Sequence, residues 1–254
     1  MFQQAYCITL LLACCALAAD VSSPKAPGSD TVQNQSSDKM AVKAKKTIPT
    51  PELANEASAD AQVYFEKAQQ YLQEENFEEA VLWCRKAAEL GHSSAQTMLG
   101  AALYYGAGVS ENVEESIQWS TKAAAQGEVE ALLNLGNAYY NGKGIPVNGK
   151  LAMKWYRKAA EAGLREGAHM VGLCYYRGIG VPEDKEEAAI WFRKAADKEL
   201  ADARYQLCLM YLEGDGVPQD NEEATRLLVL AANQGYEPAL ELLYLIFNQN
   251  KQGE

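Results

Sequence analysis

Trp83, Trp119, Trp155 and Trp191 stand 36 positions apart. The Ala-Ala pairs beginning at Ala87, Ala123, Ala159, Ala195 and Ala231 keep that interval. So do the paired glycines Gly106/Gly108, Gly142/Gly144, Gly178/Gly180 and Gly214/Gly216. A fixed period in the 20–50 residue range is the signature of stacked repeats, in which each unit buries its apolar face against its neighbours. Each period holds two stretches with apolar residues at helical spacing, joined by the glycine corner. The fold class is therefore all-α: a solenoid, or α-α superhelix, of helical hairpins.

The unit borders follow from the columns. Four full units span 92–127, 128–163, 164–199 and 200–235, and a divergent first unit without the glycine corner spans 57–91. In each full unit the first helix carries a small residue, then Leu or Val followed by Gly or Cys, which lets two helix backbones approach closely. The Gly-x-Gly corner ends that helix, because glycine accepts the left-handed conformation at little cost. Asn112, Asn148, Asp184 and Asp220 are N-caps for the second helix. Glu115, Glu187 and Glu223 follow three residues later as capping-box partners, and Leu151 interrupts that pattern once. Lys86, Lys122, Lys158 and Lys194 suit the negative end of the helix dipole. Gly91, Gly127, Gly163 and Gly235 close the second helix, with Glu199 replacing glycine in one unit. Residues 236–254 form a C-terminal capping helix and tail. Leu242, Leu243, Leu245, Ile246 and Phe247 make this helix unusually apolar for an end, so it either folds back as a lid or offers a contact surface.

Ahead of the array, an apolar run from Tyr6 to Ala19 falls short of the roughly 20 residues that span a bilayer. It ends in Ala16-Leu17-Ala18, a small-x-small pattern that marks 1–18 as a signal peptide cleaved between Ala18 and Ala19. An alternative is Leu11-Leu12-Ala13-Cys14, a lipobox-like stretch that would put a lipid anchor on Cys14. A third is an uncleaved anchor or a cytosolic chain. Residues 19–56, rich in Ser, Pro, Ala and Lys with no apolar period, are expected to be a disordered linker.

The net charge of −11 disfavours nucleic acid, which requires a basic stripe, and anionic membrane surfaces. Only Cys84, Cys174 and Cys208 fall in the repeats, an odd number without CxxC spacing, so they are expected to be free packed thiols and no metal site is implied. His92 and His169 lack acidic or thiol partners at ligand spacing. The Gly-x-Gly corners follow helices, not strands, and three are followed by proline, which excludes a dinucleotide fingerprint. No column supplies a nucleophile with a positioned base, so neither a catalytic residue nor a cofactor is expected.

The unit Ala-x-x-x-Leu-Gly-x-x-Tyr-x-x-Gly-x-Gly-Val/Ile-Pro, followed by a capped helix ending Trp-x-x-Lys-Ala-Ala-x-x-Gly, resembles the Sel1-like repeat, a relative of the tetratricopeptide repeat. The resemblance runs from Ala57 to Phe247. It implies an adaptor that holds a protein or peptide, as such proteins do in quality-control complexes, bacterial signalling and host interaction. A secreted cysteine-rich branch of the family implies an alternative, a β-lactamase-like or cell-wall amide hydrolase. That branch places a Cys pair in each hairpin, and no unit here contains two cysteines.

Likeness to tetratricopeptide stacks implies that the first helices line a concave face. On helical offsets, that face collects Thr97, Tyr104, Asn137, Tyr140, Asn141, His169, Tyr176, Arg177, Tyr205 and Glu213. Asn137, Asn141 and Arg177 would form an amide–amide–guanidinium cluster suited to a peptide backbone or carboxylate. The Tyr column stands between core and groove. The Trp column is expected to be core, with Trp155 buried between hairpins.

Overall fold

The computed structural model describes residues 51–252, with side chains from 58 to 246. The proposed signal peptide with its Ala18/Ala19 cleavage site, the Cys14 lipid-anchor alternative and most of the linker lie outside the described residues. Among those described, eleven helices and no strand occur. They are α1 Pro51–Gln73, α2 Phe77–Glu89, α3 Ser93–Tyr105, α4 Val113–Ala125, α5 Val129–Asn141, α6 Gly149–Glu161, α7 Arg165–Arg177, α8 Lys185–Ala196, α9 Ala201–Glu213, α10 Asn221–Ala232 and α11 Glu237–Gln252. Consecutive helices pack as hairpins, α1 with α2 through α9 with α10, and each hairpin packs on the next. Helix α1 begins at Pro51, ahead of Ala57 where the apolar period begins. Proline is well placed in a first helical turn, and the Glu and Ala residues that follow are strong helix formers without an apolar face to betray them.

Local signals do what their chemistry predicts. The side chains of Asn112, Asn148, Asp184 and Asp220 accept hydrogen bonds from the backbone N–H three residues on, and Asn76 does the same for α2. Where a capping-box Glu is present, its carboxylate turns to other donors. Glu115 accepts from Trp119 Nε1 at 3.1 Å and pairs with Arg85, while Glu187 accepts from Trp191 Nε1 at 2.8 Å. Gly106, Gly142, Gly178 and Gly214 are left-handed C-caps of the first helices. The second corner glycine has a different reason. A Cβ on Gly108, Gly180 or Gly216 would strike the backbone at Phe77, Gly149 or Lys185, the residue that opens the second helix one unit earlier. The corner is a joint between units.

The core runs along the array in five buried clusters. Ala87, Ala123, Ala159, Ala195 and Ala231 are fully buried, and a Cβ on Gly167 would strike Ala159 and Ala160, so these small residues set how closely α7 approaches α6. The expectation for Trp155 is corrected. It is only half-buried, as are Trp83 and Trp191, and Lys158 lies over its ring at 4.7 Å. Lys86, Lys122 and Lys194 cover the other three indoles at 3.7 Å each. The fully buried column is the next one along, Cys84, Ser120, Tyr156, Phe192 and Leu228. One residue on a helix is about 100° of rotation, and that rotation carries Tyr156 inward and leaves Trp155 at the seam under its lysine. Opposite this column stand Gly100, Gly136, Gly172 and Cys208; a Cβ on Gly136 would enter the Tyr156 ring, and one on Gly172 the Phe192 ring.

The last helix is both lid and open surface. Ala239, Leu242 and Leu243 pack onto the terminal core cluster, while Leu240, Tyr244, Leu245 and Ile246 stay exposed.

Candidate functional site

First helices of neighbouring units touch through their tyrosines. The Tyr104 hydroxyl donates to Asn137 O at 3.2 Å and accepts from Asn141 Nδ2 at 2.5 Å. Arg177 Nη1 donates to the Tyr140 hydroxyl at 3.1 Å. The Tyr176 hydroxyl donates to Asp215 Oδ2 at 3.2 Å, and Lys185 pairs with the same carboxylate at 2.9 Å. Burial first, and then the Asp215 carboxylate, raises the Tyr176 pKa and keeps that hydroxyl protonated as a donor. Each tyrosine thus ties its unit to the next by a polar tip on an apolar ring.

These ties redistribute the residues expected on a concave face. Tyr104 is corrected: it is 5% exposed and belongs to the core between α3 and α5. Thr97 is half-buried, its hydroxyl donating to Ser93 O and its carbonyl accepting from Asn134 Nδ2. Asn137 turns its side-chain oxygen to the Tyr156 hydroxyl at 2.8 Å, linking the face to the buried column. Asn137 and Asn141 therefore meet around Tyr104, whereas Arg177 is held by Tyr140. The expected amide–amide–guanidinium cluster is divided between two tyrosine ties. Asn141 and Arg177 remain exposed with donors to spare, since an amide carries two and a guanidinium five. Glu213 is exposed at the end of α9, and Tyr205 is half-buried with its ring 5.5 Å from that of Tyr236.

His169 is half-buried beside Phe192, with ring centroids 5.5 Å apart, and its Nε2 is buried without a hydrogen-bond partner. Burial lowers its pKa against the opposing pull of Asp202 and Glu166. His92 acts as a cap. Its Nδ1 accepts from Ala95 N at 3.3 Å at the start of α3, and its Nε2 bonds Gln62 Oε1 at 3.0 Å. Its ring stacks on Phe65 at 4.3 Å. Burial holds its pKa below the ordinary value, as a lone-pair acceptor requires.

Sequence reasoning missed Leu173 and Leu209. They follow Asn137 at the 36-residue interval, are half-buried, and continue to the exposed Leu245, and Leu173 packs with Tyr176 against the terminal core cluster. That column reads Ala101, Asn137, Leu173, Leu209 and Leu245, and its run of three leucines is a signal available without coordinates.

Reactive chemistry is subdued among the described residues. Burial pushes the thiols of Cys84 and Cys174 up to about 12 and that of Cys208 to about 11, so all three stay protonated at neutral pH. The buried Ser116 hydroxyl donates to Gly100 O at 2.6 Å. No group of three His, Cys, Asp or Glu side chains that could hold a metal ion occurs there. No helix there is long and apolar enough to cross a membrane.

Comparison with known proteins gives a consistent family. The family model described as Sel1 repeat matches residues 64–92, 93–128, 129–164, 165–200 and 201–236. A Sel1 repeat protein from Oxalobacter formigenes superimposes with a TM-score of 0.68 at 30% identity, over 81% of this chain and 82% of that one. A protective antigen of uropathogenic Escherichia coli with an SLR fold gives 0.65 at 32% identity, over 75% of this chain and 42% of the antigen. This chain therefore spans less than half of that antigen's length. A putative Sel1 repeat protein from Klebsiella pneumoniae, 20% identical with a TM-score of 0.52 over 77% of this chain and 98% of that one, shares the fold. No curated protein matches.

Proposed function

Because the chain belongs to the Sel1 repeat family, a scaffold fold that generally mediates protein interactions, we propose that it is an exported scaffold that binds a protein or peptide on the face formed by its first helices. One observation carries the choice of face: the exposed Arg177 is held by Tyr140 of the preceding unit, so its guanidinium is oriented before any partner arrives. Leu173, one turn before it on α7, and Leu209 at the equivalent position of α9 are half-buried and apolar. Pre-oriented donors next to apolar surface suit a peptide backbone or carboxylate with apolar side chains, because little conformational freedom is lost on binding.

Export rests on the N-terminal pattern of residues 1–18, and the protective-antigen description of the Escherichia coli relative is in keeping with it. Mass spectrometry of the exported chain separates a mature start at Ala19 from a lipid on Cys14. The hydrolase of the cysteine-rich branch finds no support in the buried, protonated thiols or in the hydroxyl that Ser116 gives to a backbone carbonyl.

The test is affinity capture by the mature chain with identification of the captured protein, repeated with Arg177→Ala and with the outer-face control Lys154→Ala. Arg177→Ala should weaken capture by about 1.5–3 kcal/mol, the scale of a charge-assisted hydrogen bond, with its melting curve preserved. Equal capture by both variants would remove this face from consideration.

A further inference from the structure

The end of the array presents a position for one more helix. Gly100, Gly136, Gly172 and Cys208 form a column on the first helices, and each faces the second helix of its own hairpin. Gly136 lies under the Tyr156 ring, Gly172 under Phe192, and Cys208 shares a cluster with Leu228. The next member of that column is Tyr244 on α11. It is 68% exposed, and none of the described residues covers it. Leu240, Leu245 and Ile246 are exposed within the same two turns. The patch therefore continues the interface that a covering helix makes four times earlier in this chain.

We propose that the helix occupying this position is α11 of a second copy, so that two arrays join end to end about a two-fold axis. Three features favour a second copy. Tyr244 stands where earlier units have glycine or cysteine, so the covering helix is not a further second helix packed as closely as those earlier in the array. A two-fold axis across α11 makes the two helices antiparallel, the relation already present between α9 and α10, and brings the Leu240 end of one helix to the Ile246 end of the other. The exposed stripe of α11 is itself an apolar helix face of the kind the position requires, so the same patch serves both partners. Pairing is confined to one helix from each copy, and the dimer is expected to dissociate in the micromolar range.

Sedimentation equilibrium of the full chain from about 1 to 100 μM tests this. Wild type should shift from monomer to dimer across that range. Tyr244→Glu should raise the dissociation constant at least about tenfold, because a carboxylate without a partner is placed in an apolar contact. Its melting curve should be unchanged, since Tyr244 is exposed in the monomer. Val147→Glu, which adds the same charge at an exposed site far from α11, should leave the dimer intact. A wild type that stays monomeric at 100 μM, or a dimer indifferent to Tyr244→Glu, overturns the proposal.

Discussion

Replacing Tyr156 is the sharpest test of how this array is held together. Its ring is fully buried in α6, lies over Gly136 of α5, and sends its hydroxyl to Asn137. Tyr156→Ala removes that ring and the hydrogen bond, and should destabilise the protein by about 3–5 kcal/mol, the range for buried aromatic truncations. Tyr156→Phe isolates the hydroxyl and should cost about 1 kcal/mol. Trp155→Ala, one residue away, should cost clearly less than Tyr156→Ala, because Trp155 is half-buried under Lys158.

The contact between Gly136 and Tyr156 gives a coupling that can be measured. Gly136→Ala in the wild type drives a methyl into the ring and should cost about 1–3 kcal/mol as overpacking. In a Tyr156→Ala background the ring is gone, and the same change should stabilise by up to about 1 kcal/mol through helix propensity. The sign reversal gives a coupling of about 1–4 kcal/mol in a double-mutant cycle. Urea unfolding of the four proteins measures it. Additive effects, or a Trp155→Ala loss exceeding that of Tyr156→Ala, would refute this assignment of the inward column.

Two further perturbations act on single residues. Glu199 holds φ of 63° at a position where the equivalent residues are glycine, so Glu199→Gly should raise stability by about 0.5–1 kcal/mol in thermal melts, relief of left-handed strain exceeding glycine's added chain freedom. The two histidines set an acid sensitivity: burial lowers both pKa values, so the stability they support is full above about 6.5 and is lost as pH falls through their lower folded values. Glu115 and Glu223, held low chiefly by Arg85 and Arg226, add their loss only below about 4.5, so comparing urea midpoints at pH 7.5 and 5 isolates the histidines. His92→Asn keeps a capping acceptor that does not titrate, and should flatten part of that change; an unaltered pH profile would show that His92 does not contribute.

Much of the fold was legible because repetition and local chemistry coincide. The 36-residue interval located the hairpins, and the Asn/Asp caps and corner glycines marked their ends. The inward column was harder to read. Cys84, Ser120, Tyr156, Phe192 and Leu228 differ in type and conceal their equivalence, whereas the tryptophans beside them look like core although only Trp119 among them is buried. The clue lay across the hairpin, in the glycines that make room for Tyr156 and Phe192. Tyr104 was misplaced in the groove because its partners, Asn137 and Asn141, lie one unit on, and no rule of spacing says that a hydroxyl will reach across. The start of α1 escaped notice because a helix polar all round has no period to read.

The claim that the first-helix face is the working surface is tested most directly by site-specific photo-crosslinking in cells that produce the chain. A photoreactive residue placed at Leu209, on the first helix α9, should form an adduct with a partner, and one placed at Lys154 on the outer face should not. Adducts from position 154 with none from 209 would contradict the account.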